Sequence, residues 1–257
     1  MNAFNPLILI PSYNTGADLL IRTVASAVDS GFDIWVIIDG SNDGSAEALS
    51  QSKCVIEHQV RMIVKPTNGG KGNALKMGAE AALEAGYTHV LTMDADGQHP
   101  ASAIAQLVGI AKESPRFIVM GQPIFGDDAP LARVQGRKLT SFFTNVETLW
   151  CGLGDTLFGM RVYPLVPFIA AFEQTSFARG FDFDPEIAVR MVWAGCQPVQ
   201  LPIVVSYLSK EEGGVSHFHY LRDNFKLTLL HFRLVPEFIV LRLFPLLRYI
   251  KKWEKYP

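Results

Sequence analysis

The feature that most constrains the fold is an alternation in the first hundred residues. Four short apolar runs, LILI (7–10), DIWVIID (33–39), RMIVK (61–65) and THVLTMD (88–94), alternate with stretches 17–30, 45–51 and 73–85 that carry helical spacing. Strands alternating with helices predict an α/β fold, a mainly parallel sheet with helices on both faces. In such sheets ligands bind beyond the carboxyl ends of the strands, where the strand order switches direction. The polar clusters fall at those ends: Pro11, Ser12, Tyr13 and Asn14, then Asp39, Gly40 and Ser41, then Asp94, Ala95 and Asp96. The second half is less regular, with strands expected over 117–121 and 199–207, helices over 136–151 and 185–193, and no internal repeat.

Composition removes several classes of function. With 49% hydrophobic and 19% charged residues, the chain buries a core and is not disordered. A net charge of −2 gives no overall positive field to draw in a nucleic acid. Cys54, Cys151 and Cys196 lie too far apart for a disulfide framework or a zinc pattern, and read as small hydrophobes in a reducing compartment. The start, MNAFNPLILIPSYN, lacks the basic segment and cleavage site of a signal peptide and reads as a buried strand.

The mean hydropathy of +0.18 is high for a soluble protein, yet no window offers the ~20 uninterrupted apolar residues of a membrane helix. The best attempt, 227–247, is broken by His231, Arg233, Pro236, Glu237, Arg242 and Pro245. Charge is also uneven: residues 217–257 carry eight Lys/Arg against three Asp/Glu, a net +5, and the rest of the chain a net −7. The sequence therefore divides into a body, 1–216, and a basic amphipathic helical tail, 217–257, whose prolines should kink or break a helix. Arg242, Arg248, Lys251 and Lys252 interleave with Leu, Ile, Phe and Trp253, the composition of helices that lie in a lipid headgroup layer. A helix packed on the body or on a second subunit, as in a homodimer, is the alternative.

Four motifs carry chemistry. In MDADGQH (93–99) an apolar strand ends in two carboxylates one residue apart, with Gln98 next in phase. Carboxylates this close repel unless a cation joins them, and hard oxygen ligands suit Mg²⁺ or Mn²⁺ on a substrate phosphate. The plainer reading is a turn capping the next helix. NGGKGNALKMG (68–78) is a glycine-rich loop opening a helix, with Lys71 among its glycines. Its N–H groups could bind an anion, or it is simply a tight strand-to-helix turn. IPSYN (10–14) and DGSNDGS (39–45) could shape a base slot, or serve as ordinary turns.

Taken in this order, IPSYN, DGSNDGS, NGGKGNAL and MDADGQHP make the sequence resemble the family 2 glycosyltransferases, and within them the dolichyl-phosphate mannose synthase-like branch. Weaker matches continue through GDTLFGMRVY (154–163), GFDFDPEIAVR (180–190) and GGVSHF (213–218). The resemblance implies a GT-A fold, a UDP- or GDP-linked sugar donor, a divalent cation, inversion at the anomeric carbon, and a lipid or polyprenyl-phosphate acceptor at the inner, cytoplasmic face of the membrane. Carried over by position, Pro11, Ser12, Tyr13, Asn14 and Asp39 would hold base and ribose, with Lys71 and Gly72 nearby. Asp94, Ala95 and Asp96 would meet the donor, and Asp94, Asp96 and Gln98 the metal. Asp184 stands where the family has its catalytic base; Phe183 takes the place of the acidic partner, with Asp182 as nearest replacement. In SKEEGGVSHF (209–218), Lys210, Ser216 or His217 would meet the acceptor or its phosphate. Ile38 and Thr15 stand where the family usually carries acids. A nucleotidyltransferase and a non-catalytic nucleotide-sugar-binding scaffold are the competing functions.

Overall fold

The computed structural model describes residues 3–58, 60–126, 131–205 and 220–244. In chain order its first half comprises β1 (Pro6–Ser12), α1 (Ala17–Val28), β2 (Asp33–Asp39), α2 (Ser45–Ser50), α3 (Lys53–His58), β3 (Arg61–Lys65), α4 (Lys71–Glu84) and β4 (His89–Thr92). There follow α5 (Ile104–Glu113), β5 (Ile118–Phe125), α6 (Leu131–Glu147), β6 (Arg161–Pro164), α7 (Leu165–Glu173), α8 (Phe183–Trp193), β7 (Pro198–Val205) and α9 (Tyr220–Phe238).

The strands form one sheet in the order β3-β2-β1-β4-β6-β5-β7. All neighbours run parallel except β6, which pairs antiparallel with both β4 and β5. The pleat sorts β1 onto two cores. Leu7 and Leu9 face a cluster with Ala74, Leu75 and Phe168, whereas Ile8 and Ile10 face one with Leu20, Val24 and Ile104. Helices therefore cover both faces, as strands apolar on both sides require. Helix α1 shows how such a cover forms, since Leu19, Leu20, Thr23, Val24 and Ala27 share one face and are its buried residues.

The strand order reverses at β1. The chain leaves it towards β2 on one side and returns to β4 on the other, so the carboxyl ends of β1, β2 and β4 open onto one crevice.

Of the kink or break expected at the prolines of the C-terminal helix, the break is absent at Pro236. Pro236 neither breaks nor ends α9, which runs to Phe238 and then passes into a π-helical turn, Ile239–Leu243. A proline removes one N–H and crowds the turn before it, and a wider turn keeps the chain helical nearby. Helix α9 also lies against the body: Leu227, Leu230 and Leu234 join the same core as β1 and α4. Among the described residues no helix is long and apolar enough to cross a membrane. The expected boundary at 216/217, and residues 245–257 of the tail, lie outside the described residues.

Candidate active site

The crevice is a cavity of about 640 Å³. Pro11, Ser12 and Tyr13 reach it from the end of β1, and Asp39 from the end of β2. Lys71 comes from the start of α4; Asp94, Ala95, Asp96 and Gln98 follow β4; Asp184 comes from the first turn of α8. The structure thus brings residues up to 173 positions apart in sequence, from Pro11 to Asp184, around one space.

At its floor, charges from both halves of the chain meet. Lys71 Nζ lies 2.8 Å from Asp94 Oδ1 and 2.7 Å from Asp184 Oδ2. Burial opposes the Lys71 charge, but the two carboxylates outweigh it and hold the ammonium well above the usual lysine range. Burial would also raise the Asp94 carboxyl, yet Lys71 first, then His99 and Arg161, bring it down to about 2. At Asp96 the pull of His99 and Lys71 is the weaker side of the balance. Burial first, and then the Asp94 charge, push its carboxyl above the ordinary aspartate value.

Arg161, fully buried on β6, fixes the far side of this cluster. Its guanidinium donates to Phe158 O (2.8 Å), Asp184 O (2.8 Å), Tyr163 Oη (2.9 Å) and Thr156 O. The 156–159 turn and the start of α8 are thereby tied to one side chain. Gly159 in that turn leaves room for the ion pair: a Cβ there would stand 2.6 Å from Asp94 Oδ2 and 2.7 Å from Lys71 Nζ, so those side chains would have to shift. His99 supports the other side. Its Nδ1 accepts the Asp94 N–H at 2.9 Å, its Nε2 lies 3.7 Å from Asp94 Oδ2, and burial lowers its pKa, favouring the neutral ring.

The glycine-rich loop is built differently from an anion cradle. The N–H groups of Gly69 and Gly70 both donate to Asp39, whose carboxylate is also paired with Lys65, and the Gly72 N–H donates to Arg179 O (3.0 Å). Glycine is needed at 72 because the Ala178 carbonyl occupies the space of a Cβ. These three glycine donors are therefore spent on holding the loop, and Lys71 is the charged group that the loop presents to the cavity, beside Asn68 and Gly70. Asn14 and Gly72, expected at the donor, do not line the cavity. Asn14 instead joins the loops after β1 and β2, donating its N–H to Ser41 Oγ and accepting from the Asn42 N–H on Oδ1. Its φ of 46° is one that asparagine tolerates.

Asp182 is the N-cap residue of α8; its carboxylate accepts the N–H of Gly180 at 3.0 Å and, unlike Gly180, does not line the cavity. Asp184 is therefore not the cap of that helix but its second residue, turned inward. Lys210, Ser216 and His217 lie outside the described residues. Sequence reasoning singled out no role for His99, Gly159 or Arg161, nor for the cations Arg137, Arg222 and Lys226 that also line the cavity. The strand-ending motif already contained His99, and Gly159 and Arg161 stood within the weaker match GDTLFGMRVY, which assigned neither of them a role.

The donor set suits a cation that keeps part of its shell. Among the described residues no group of three or more His, Cys, Asp or Glu could cage a metal. Magnesium-like ions do not require one, binding through one or two carboxylates plus substrate phosphates. A half-buried carboxylate whose charge is disfavoured, as at Asp96, is stabilised by such an ion.

The model of the family described as "Glycosyl transferase family 2" matches residues 7–172, about two thirds of the sequence, which includes every strand-end motif up to His99. The chain belongs to that family. Its relatives include an undecaprenyl-phosphate mannosyltransferase of Micrococcus luteus, 25% identical over 80% of this chain and 85% of the relative. A polyprenol monophosphomannose synthase of Mycolicibacterium smegmatis is 24% identical over 82% of this chain and 79% of that one. An undecaprenyl-phosphate 4-deoxy-4-formamido-L-arabinose transferase of Salmonella paratyphi B is 34% identical, over 61% of this chain and 47% of its own length. Among solved structures, glucosyl-3-phosphoglycerate synthase from Mycobacterium tuberculosis, crystallised with Mn²⁺, UDP and phosphoglyceric acid, superposes with a TM-score of 0.59. It is 17% identical and covers 90% of this chain and 76% of that one, a likeness of fold. The glycosyltransferase therefore has the GT-A fold, with its expected mixed, mainly parallel sheet.

Proposed function

We propose that this glycosyltransferase moves a sugar from a UDP- or GDP-linked donor to a polyprenyl phosphate, with inversion, at the cytoplasmic face of a membrane. One observation carries the reading: the acid pair after β4, Lys71 and Asp184 converge in one cavity at the point where the strand order reverses. The names of the two relatives that align along most of this chain, both polyprenyl-phosphate mannose transferases, support the acceptor class.

On this reading the slot of Pro11, Tyr13 and Asp39 takes the nucleoside, and the sugar points towards Lys71 and Asp184. Asp96, with Asp94 and Gln98, would hold Mg²⁺ or Mn²⁺, which offsets charge on the departing diphosphate. The bond from the anomeric carbon to the diphosphate breaks as an acceptor phosphate oxygen attacks from the opposite face. That oxygen is already anionic, so no side chain need remove a proton. Asp184 is consistent with this, because its carboxylate is engaged by Lys71 and its backbone by Arg161, which suits orienting rather than abstracting. Lys71 keeps the two carboxylates from repelling across the sugar site. Acceptor contacts at Lys210, Ser216 and His217 belong to the same proposal.

Calorimetry with UDP- and GDP-sugars, with and without Mn²⁺, tests the donor side. Mn²⁺-dependent binding that Asp96→Asn weakens at least tenfold is expected. Mass spectrometry of polyprenyl-phosphate vesicles incubated with donor and protein tests the acceptor side. One sugar unit should be added to the lipid phosphate; transfer of the nucleotidyl group with release of sugar 1-phosphate would instead identify a nucleotidyltransferase, and tight binding without turnover a scaffold.

A further inference from the structure

Helices α6 and α9 lie side by side, Phe143 stacking on His231 with ring centroids 4.9 Å apart and Glu147 accepting from His231 Nδ1 at 2.8 Å. Their outer faces are unlike those of the other helices. On α9, Phe225 (64% exposed), Leu229 and Phe232 (75% exposed) recur at helical spacing in solvent, and on α6 Leu139 and Phe142 do the same. Helix α5, by contrast, leaves no large apolar side chain exposed and ends in exposed Lys112 and Glu113.

The charges on the two helices are sorted as well. Their acids point inward: Glu147 and Asp223 are buried, and Glu237 is held by both terminal nitrogens of Arg190 at 3.0 Å. Lys138, Arg222 and Lys226 are exposed, and so is Arg242 in the turn after α9; of these, Arg222 is paired with the buried Asp223 at 3.1 Å. The result is a surface of large apolar groups and cations with no acid turned outward among the described residues of either helix.

We propose that this α6–α9 face rests in an anionic lipid headgroup layer. Apolar groups at helical spacing bury themselves at the headgroup boundary, and each cation near an anionic surface strengthens binding about fivefold. A second copy of the chain fits the same face poorly. A two-fold interface sets a patch against itself, which would bring Lys138, Lys226 and Arg242 together while, among the described residues, neither helix turns a carboxylate outward to answer them. The face is also continuous with the candidate site, because Arg222 and Lys226 on the first turns of α9 line the cavity. A lipid phosphate lying in the layer would thus meet the cavity at its cationic rim, a consequence that rests on the acceptor class proposed above.

The test is sedimentation of the full chain with phosphatidylcholine vesicles, with and without phosphatidylglycerol, run beside size-exclusion chromatography. The wild type should bind the anionic vesicles and release with salt. The paired variant Phe225→Ser with Phe232→Ser should bind them about tenfold or more weakly, and Lys138→Glu several-fold more weakly. The nucleoside diphosphate affinity of the Phe pair, measured with Mn²⁺, should stay within about twofold of wild type, showing that the fold is intact. Undiminished vesicle binding by the Phe pair would overturn the proposal. So would a wild type that elutes as a dimer while the Phe pair elutes as a monomer, which would assign the face to a second copy. A wild type that binds vesicles but no nucleotide would sink the functional reading and leave the surface standing.

Discussion

The two halves of the molecule are built by different rules. From β1 to β4 the chain advances by local βα units, and each new strand lies beside β1 or beside the strand just formed. From β5 onward the partners are distant: β6 inserts antiparallel between β4 and β5, and α9 returns to pack on α6. The first half delivers Asp39, Lys71, Asp94 and Asp96 from strand ends and one helix start. The second delivers Gly159, Arg161 and Asp184 from a short strand, a turn and a helix, along with the cationic rim. Neither half holds the site alone. Lys71 of the first is paired with Asp184 of the second at 2.7 Å, so the site is on the seam between a locally built half and a long-range one.

That contrast can be broken in several places. Lys71→Met strikes the seam, leaving Asp94 and Asp184 without their shared cation, and turnover should fall about a thousandfold. A loss confined to donor affinity, with turnover at saturation unchanged, would return Lys71 to the first half alone. The inner side of α9 should matter almost as much to stability as the seam does to rate. Leu230→Ala, in the core, should cost about 3 kcal/mol of unfolding free energy in urea, whereas Leu229→Ala, one residue away and half exposed, should stay within about 0.5 kcal/mol. Equal costs would mean that α9 is not split into a packed side and a free one.

Gly159→Ala probes the close approach of the second half to the first. Its methyl would push on the Lys71–Asp94 pair, and about a hundredfold loss of turnover with little change in stability is expected. The smallest effect concerns Glu147, where burial outweighs the opposing pull of its His231 hydrogen bond and raises the carboxyl above the ordinary 4.5. The folded state then holds the proton more tightly than the unfolded chain, so stability declines as pH rises from 4.5 through the raised value. Glu147→Gln should flatten that slope, as read from urea midpoints on both sides of the window; an unchanged slope would assign it to another group.

Legibility in the sequence follows the same division. Strands β2 and β3 match their apolar runs residue for residue: β2 because a covered parallel strand is apolar along its length, and β3, at the sheet edge, because a short β-rich run is framed by charged Arg61 and Lys65. The acids after β4 and the lysine among glycines were visible for the same local reason. Strand β6 was not: it has four residues, begins with a buried arginine and is specified by partners more than 40 residues away. Helix α7 was obscured by Pro167, which sits in its first turn, where a proline is tolerated. The glycine-rich loop was misleading in part, since nothing local says that its N–H groups go to Asp39 and Arg179. In the tail the sequence showed an apolar and basic helix but not that its acids turn inward, because Arg190, 47 residues before Glu237, makes that choice.

The central claim is that the seam acts as a unit, and a double-mutant cycle on Lys71→Met and Asp184→Asn tests it most directly. Sugar transfer to polyprenyl phosphate in vesicles would be measured at saturating donor for the wild type, both single variants and the pair. If Lys71 and Asp184 work through each other, the pair should be within about threefold of the slower single variant. Losses that multiply, each substitution costing its full factor in the presence of the other, would contradict the claim.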